Sequence, residues 1–285
     1  MAPTSPTVAR WELRLRLRRL RELTGIDDVD TIIEAVGISR PYWSQVDADR
    51  RMLTEDKLQR LLDLFSCDPA ERAEVIALRS AAKERGWWSK YPALIKPELA
   101  RLYGLEYGAE SIRCYNSLLI PGLLQSERYA RTIIGANALI RPFEVEQHLA
   151  VRMRRQQRLT EEDPIQLTAV FSQAALVQQT GGPDVLREQL EHLRRLIEEH
   201  PDTIEIRVIP FTATEGTALG GSTYHLLDFA SPQLPTLAWS ETALGGEILE
   251  DPASVSSLGF AFNQALSQTI DRAATLALIK EGLRS

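Results

Sequence analysis

The sequence has few of the residues that build disulfide scaffolds and metal centres. It contains two cysteines and four histidines among 285 residues, and their spacing fits no metal or redox motif. No apolar run approaches the roughly 18 residues that a membrane helix needs, and the first nine residues lack the apolar stretch of a secretory signal. These absences exclude a disulfide-rich or membrane-spanning protein. They predict a cytoplasmic location and no metal or other cofactor.

Charge of both signs is present in ordinary amounts. Lys and Arg number 33 and Asp and Glu number 39, which gives a net charge of −6, and 44% of residues are hydrophobic. This globular composition excludes a wholly disordered chain. The net acidity disfavours a protein that binds polyanions over its whole surface, but it leaves a local basic face open. The length fits two domains.

Residues 9–85 carry helical patterns almost throughout, and residues 1–8 are predicted to form a flexible tail because they are rich in Pro, Ser and Thr. The first helix ends at Gly25, and Asp27 or Asp28 caps the second, which ends at Gly37. Ser39 caps a third helix. A fourth covers about 54–66, and Asp68-Pro69 opens a fifth that runs to about residue 85. The predicted domain is an all-α bundle of five helices.

Residues 86–285 predict a mixed α+β domain that contains a parallel crossover. Period-two alternation predicts strands, and apolar stripes at helical spacing predict helices. Gly245-Gly246 is predicted to be a turn. The predicted strands are Leu167–Leu176, Thr203–Phe211, Tyr224–Phe229 and Leu237–Glu241, and the predicted helices are 98–104, 126–135, 143–160, Asp184–His200, 251–268 and 271–282.

Two short helices joined by Gly37-Ile38-Ser39 form the arrangement of a helix-turn-helix. In this motif the second helix enters the major groove of double-stranded DNA, which admits one α-helix. Arg pairs with guanine and Gln with adenine, while Ser and Arg also bind phosphate. We therefore expect base contacts from Arg40, Tyr42 and Gln45, and backbone contacts from Ser39, Ser44, Arg50 and Arg51, with Lys57 as a further phosphate ligand. Paired half-sites favour a homodimer.

Several segments carry a family resemblance that covers nearly the whole chain. They are Leu17–Leu23 (LRRLREL), Glu84–Tyr91 (ERGWWSKY), Tyr115–Arg131 (YNSLLIPGLLQSERYAR), Arg152–Leu159 (RMRRQQRL) and Val208–Phe211 (VIPF). The chain resembles the actinobacterial two-domain regulators, which have an XRE-type (Cro/lambda-repressor-like) helix-turn-helix followed by a C-terminal domain of unknown role. Many of these are described as antitoxin-like transcriptional regulators. The resemblance implies a DNA-binding regulator whose C-terminal domain senses a ligand or partner.

The chain departs from that family within the helix-turn-helix. Asp28-Val29 replaces the usual Thr-Gln at the start of the second helix, Gln45 replaces a frequent Arg, and Asp47-Ala48-Asp49 replaces a Glu-Asn-Gly turn. Residues 1–66 contain eleven basic and eleven acidic side chains, although DNA affinity depends on Lys and Arg. An alternative hypothesis follows, in which the helix-turn-helix binds a small partner protein instead of DNA.

Two groups of arginines leave alternatives open. Arg14, Arg18 and Arg21 share one helix face and either contact phosphate or form a solvated face. Arg152, Arg154, Arg155 and Arg158 form either a solvated face or a site for an anionic effector. No Ser-His-Asp or Cys-His constellation has a local signature, so we expect that the protein is not an enzyme.

Overall fold

The computed structural model describes residues 2–214, 223–242 and 245–284. The chain forms two compact units. The smaller holds Thr4–Trp87 together with Ser231–Leu234, and the larger holds most of the chain that follows Trp87. Within the described residues, no helix combines the length and the apolar composition needed to cross a membrane.

The smaller unit is a bundle of five helices, as the sequence predicts. Its core is built from one apolar face of each helix, with Leu13, Ile32, Trp43, Leu61 and Val75 all buried. Short turns join the helices, so neighbouring apolar faces pack against one another. The helices are α1 (Pro6–Thr24), α2 (Val29–Val36), α3 (Arg40–Asp47), α4 (Glu55–Leu64) and α5 (Pro69–Ala81).

The predicted flexible tail over residues 1–8 is wrong from Pro6 onward, and Met1 lies outside the described residues. Helix α1 begins at Pro6 because the Ser5 hydroxyl accepts a hydrogen bond from the N–H of Val8 (3.5 Å). Proline is favoured in the first turn, where its missing N–H has no intrahelical partner. Ala9 and Trp11 are also buried, as expected of a packed helix and not of a solvated tail.

The larger unit contains one six-stranded mixed sheet in the order β3-β2-β1-β4-β5-β6. Strand β1 lies between a parallel neighbour, β2, and an antiparallel neighbour, β4. Strands β2 and β3 are also parallel, while β4, β5 and β6 are antiparallel. The strands are β1 (Ser111–Asn116), β2 (Gln166–Ser172), β3 (Ile204–Ile209), β4 (Thr223–Asp228), β5 (Leu237–Thr242) and β6 (Gly245–Leu249).

Seven α-helices accompany the sheet in the described residues. Helices α7 and α8 lie in the connection from β1 to β2, and α10 lies in the connection from β2 to β3, as parallel pairing requires. Helix α10 packs on β3 and α12. The helices are α6 (Pro97–Gly108), α7 (Glu127–Gly135), α8 (Val145–Gln156), α9 (Ala174–Val177), α10 (Pro183–Glu199), α11 (Pro252–Ser267) and α12 (Arg272–Gly282).

Two strands have no counterpart in the sequence-based prediction. Strand β1 reads SIRCYN and carries polar residues on both faces, so its alternation is weak. Strand β6 begins with Gly245 and Gly246, and the predicted turn there is wrong because both glycines pair with β5. A Cβ at Gly246 would lie 2.3 Å from the Trp239 indole. The close approach of that ring therefore explains a glycine inside a strand.

Candidate nucleic-acid interface

The helix-turn-helix is formed by α2, α3 and the turn between them. The Asp28 carboxylate caps α2 by accepting hydrogen bonds from the N–H groups of Asp30 (3.2 Å) and Thr31 (2.9 Å). Gly37 ends α2 with φ of 69°, a left-handed conformation that favours glycine. The Ser39 hydroxyl then caps α3 by accepting from the N–H of Tyr42 (3.4 Å).

Helix α3 is anchored by its apolar side. Trp43 is buried against Ile32 and Val36 of α2, and Val46 is partly buried beside them. On the opposite side lie Pro41, Ser44, Gln45 and Ala48, a set at helical spacing that is exposed throughout. We call these four residues the outer face of α3. It is small, neutral and free of bulky side chains, so another surface can approach the helix closely.

Arg40 is exposed at the start of α3 and is held by an acidic residue. One guanidinium nitrogen donates to Oδ1 of Asp30 on α2 at 2.6 Å, and the side chains of both residues are more than half exposed. An exposed ion pair of this kind contributes about 0–1 kcal/mol. Arg40 can therefore leave Asp30 for a stronger anionic or bidentate partner at small cost.

Tyr42 is half-buried at the edge of α3, and its surroundings differ from those expected of a base-reading side chain. Its hydroxyl donates to the carbonyl oxygen of Met52 at 3.5 Å. The Arg51 guanidinium carbon lies 4.2 Å from the centre of the Tyr42 ring, and the Lys57 ammonium lies 4.5 Å from it. Cation–π attraction of this geometry stabilises both cations beside the ring. The structure thus gives Tyr42 a positioning role for two basic side chains.

Arg50 and Arg51 follow α3 in a turn that is fixed by its own backbone. Their N–H groups donate to the carbonyl oxygen of Gln45 at 2.8 Å and 3.1 Å. Asp49 has φ of 56°, which is uncommon for a residue with a side chain, and Arg10 of α1 donates to its carboxylate at 2.9 Å. Both Arg50 and Arg51 are exposed, so the turn presents two cations beside the outer face of α3.

Two arginines of α1, Arg18 and Arg21, bind backbone carbonyl oxygens of the same unit. Arg18 donates to the carbonyl of Asp47 at 3.2 Å. Arg21 donates to the carbonyls of Ile26 (3.1 Å) and Asp27 (2.8 Å). Helix α1 therefore supports the turns on either side of the helix-turn-helix. From the sequence alone, two interpretations of its arginines are open, phosphate contact or a solvated face.

The interface has an acidic side and a basic side. The N-terminus of α2 carries Asp27, Asp28 and Asp30, all exposed. Hydrogen bonds from the Thr31 side chain and backbone lower the pKa of Asp28, so this carboxylate stays ionised. A helix N-terminus ordinarily favours an anion, but here the protein's own carboxylate occupies that position. The other side carries Arg50, Arg51 and Lys57, together with the exposed Asp47 at the end of α3.

The structure brings together most of the residues that the sequence selects. Ser44 and Gln45 lie on the outer face of α3, Arg40 lies on one flank, and Arg50 and Arg51 lie in the following turn. The Ser39 hydroxyl is already engaged as the N-cap of α3. Sequence reasoning missed Asp30 as the partner of Arg40, since that pairing depends on the angle between the two helices. It also missed Pro41 and Ala48, although a helical wheel would have placed them beside Gln45.

Two family matches cover most of the chain. Residues 12–75 match a family described as "Helix-turn-helix domain". Residues 99–281 match "Domain of unknown function (DUF5753)". No curated protein and no solved structure matches the chain. A helix-turn-helix domain is therefore joined to a mixed α+β domain in one polypeptide, and by the match that spans most of its length the chain belongs to the DUF5753 family.

Proposed function

We propose that the protein is a DNA-binding transcriptional regulator of the bacterial cytoplasm, with an XRE-type helix-turn-helix. The observation that carries the proposal is the outer face of α3, which is exposed and neutral, with Arg50, Arg51 and Lys57 beside it. A helix with this profile fits the major groove, and adjacent cations neutralise phosphates. The match to a helix-turn-helix family supports this function over the alternative of a partner-protein module.

Base contacts are assigned to the exposed residues of α3. The Gln45 amide is able to donate a hydrogen bond to N7 of adenine and to accept one from the N6 amino group. Ser44 lies one residue before it. Arg40 is able to pair with guanine after it leaves Asp30. Because the outer face contains no large side chain, these contacts form with the helix axis close to the groove floor.

Phosphate contacts are assigned to the basic turn. Arg51 and Lys57 are held beside the Tyr42 ring, so their cationic groups are already positioned before DNA arrives. Arg50 lies next to them. We expect the acidic N-terminus of α2 to stay away from the phosphate backbone. The basic turn is then the main point at which the motif binds phosphates.

The C-terminal unit is proposed to sense a ligand or partner and to support a homodimer, since dimeric helix-turn-helix proteins bind paired half-sites. No catalytic role is proposed for it. The resemblance to actinobacterial regulators of this organisation supports the assignment.

The test uses fluorescence anisotropy with duplex DNA from upstream of the protein's own gene, across a range of salt concentrations. The double variant Arg40→Ala plus Gln45→Ala should weaken binding to the preferred duplex by at least about tenfold, because each good base contact contributes roughly 1–3 kcal/mol. Binding to an unrelated duplex should change little. The control Gln59→Ala plus Arg72→Ala removes the same residue types outside α3 and should bind as the unaltered protein does.

Unchanged discrimination in the Arg40/Gln45 variant would remove the assigned base-reading face. Absence of salt-sensitive DNA binding, together with recovery of a stoichiometric small protein in a pull-down, would instead favour the partner-protein module.

A further inference from the structure

The arginines of α8 and the turn that follows it do not form a solvated face. Arg155 donates twice to the buried Glu106 carboxylate, at 2.9 Å and 2.7 Å. Arg158 is buried and donates to the carbonyl oxygen of Tyr107 at 3.0 Å. Arg154 pairs with Glu161 at 2.9 Å near the surface. These three arginines therefore have partners within the protein, and the solvated-face alternative is wrong for Arg155 and Arg158.

Arg152 differs from the other three. Its hydrogen bond in the described structure is to a neutral amide, from Nη1 to Oε1 of Gln125 at 2.6 Å, and no described carboxylate lies within ion-pair distance. Gln125 is fixed in turn, because its own Nε2 donates to the carbonyl of Ile120 at 2.7 Å. Burial, and then repulsion by Arg155, lower the pKa of Arg152 to about 10. A guanidinium has five N–H donors, so most of those of Arg152 remain available.

Gly122 lies beside both the Arg152 and the Arg155 guanidinium. A Cβ at this position would lie 3.9 Å from Nη1 of Arg155 and 4.0 Å from Nε of Arg152. Both nitrogens therefore approach the same point, and Nη1 of Arg155 is not one of the nitrogens bonded to Glu106. Two guanidiniums thus converge beside the Gly122 backbone, where a larger residue would contact both.

The sheet near Arg155 carries two buried polar atoms that form no hydrogen bond within the described part of the chain. His225 of β4 pairs with Cys114 of β1, so both lie on one face of the sheet, and Asn116 lies two residues further along that face. Nδ1 of His225 and Oδ1 of Asn116 form no hydrogen bond with the described residues, although both residues are more than nine-tenths buried. Burial lowers the pKa of His225, so the imidazole is neutral at pH 7.

Only one carboxylate forms an ion pair with these two guanidiniums in the part of the chain that the structure describes. Arg152 and Arg155 supply two positive charges against the one negative charge of Glu106. The Glu241 carboxylate of β5 acts on both arginines at longer range, but it is exposed and forms no ion pair with a described residue. An unpaired buried charge is costly, and proteins compensate it with a counter-charge.

We propose that Arg152 and Arg155, beside Gly122, form a binding site for the oxyanion group, carboxylate or phosphate, of a small effector molecule. Guanidinium groups bind both oxyanions in a bidentate manner. Asn116 and His225 offer hydrogen bonds to the remainder of the ligand. This inference specifies the ligand class for the proposed sensing role of the C-terminal unit, and it does not depend on DNA binding.

The experiment is isothermal titration calorimetry of the full chain with inorganic phosphate and, separately, with acetate, each in chloride buffer of constant ionic strength. Saturable binding of at least one anion is expected, and comparison of the two arms identifies the preferred oxyanion. Near 100 times the dissociation constant, the melting temperature should rise by about 5–10 °C.

Arg152→Gln should weaken anion binding by at least about tenfold, and Arg152→Lys should weaken it less, since lysine keeps the charge without the bidentate geometry. The matched control Arg154→Gln lies on the same helix and should bind as the unaltered protein does. In chloride alone, Arg152→Gln should keep or raise the melting temperature, because it removes an uncompensated charge.

Lack of saturable binding of either anion by the unaltered protein would overturn the proposal, and so would equal losses in the Arg152 and Arg154 variants. Neither result would bear on DNA binding, which is measured separately with the Arg40/Gln45 variant. A failure of the site and a failure of the proposed regulator function are therefore distinguishable.

Discussion

Each unit of the protein contains an arginine beside a tyrosine ring, and the two pairs differ in what surrounds them. In the helical unit, Arg51 lies 4.2 Å from the Tyr42 ring and is exposed. In the larger unit, Arg155 lies 4.5 Å from the Tyr103 ring and bonds to the buried Glu106. The same cation–π geometry thus accompanies one charge that remains available and one that is largely neutralised within the fold.

Burial accounts for this difference. A buried arginine needs a counter-charge nearby, from the protein or from a bound anion, since water cannot solvate it. An exposed arginine needs none, and solvent screens it until an external anion arrives. Position in the fold, rather than residue type or a neighbouring aromatic ring, therefore decides whether an arginine requires a nearby counter-charge.

The largest effect is expected from Glu106→Gln, which removes the buried ion pair between Glu106 and Arg155. This change leaves the Arg155 charge without its carboxylate and should destabilise the larger unit by about 3–5 kcal/mol. Denaturant unfolding followed by circular dichroism would measure the loss. The control Glu161→Gln breaks the partly exposed pair with Arg154 and should cost about 1 kcal/mol or less. Similar losses in both variants would contradict a special role for burial.

An intermediate effect is expected from Arg51→Ala, which removes the exposed arginine of the comparison. Stability should change little, because an exposed cation–π pair contributes about 0.5–1 kcal/mol. Affinity for DNA should fall to a similar degree on preferred and unrelated duplexes. The slope of log affinity against log salt should become shallower by about one, as expected for one lost phosphate contact. A loss confined to the preferred duplex would instead assign Arg51 to base recognition.

The smallest effect is expected from Asp30→Asn, which sharpens the comparison by freeing a second exposed arginine. Arg40 would lose an ion pair worth at most about 1 kcal/mol, so DNA affinity should rise by up to about fivefold at low salt. Asp63→Asn is a matched control, because Asp63 holds Arg72 at the same 2.6 Å distance outside the helix-turn-helix. Equal increases in both variants would indicate a general charge effect.

Features that depend on neighbouring residues in the chain are predictable from the sequence. Ser39 with Pro41 marks the start of α3, and Gly37 ends α2, because caps and left-handed turns are decided within a few residues. The exposure of Ser44 and Gln45 follows from the helical period once Trp43 is placed in the core. The alternation of Ile204–Ile209 likewise identifies β3.

Features that depend on distant contacts were not predictable. Strand β1 is defined by its neighbours on both sides, so its mixed polar pattern gave no local signal. The arginines of α8 have the sequence pattern of a charged helix surface. Only the fold places Glu106 of α6 against Arg155. Asp30 meets Arg40 only because α2 and α3 cross at the turn. In each case the decisive partner lies on another element.

The connection between the parallel strands β1 and β2 also has a consequence for the order of assembly. Everything from Asn116 to Gln166, with two helices, must be closed into a loop before these strands pair. Such closure loses chain entropy before any pairing compensates it, and topologies rich in distant contacts fold slowly. During synthesis, the N-terminal bundle should therefore reach its native form while the sheet is still incomplete.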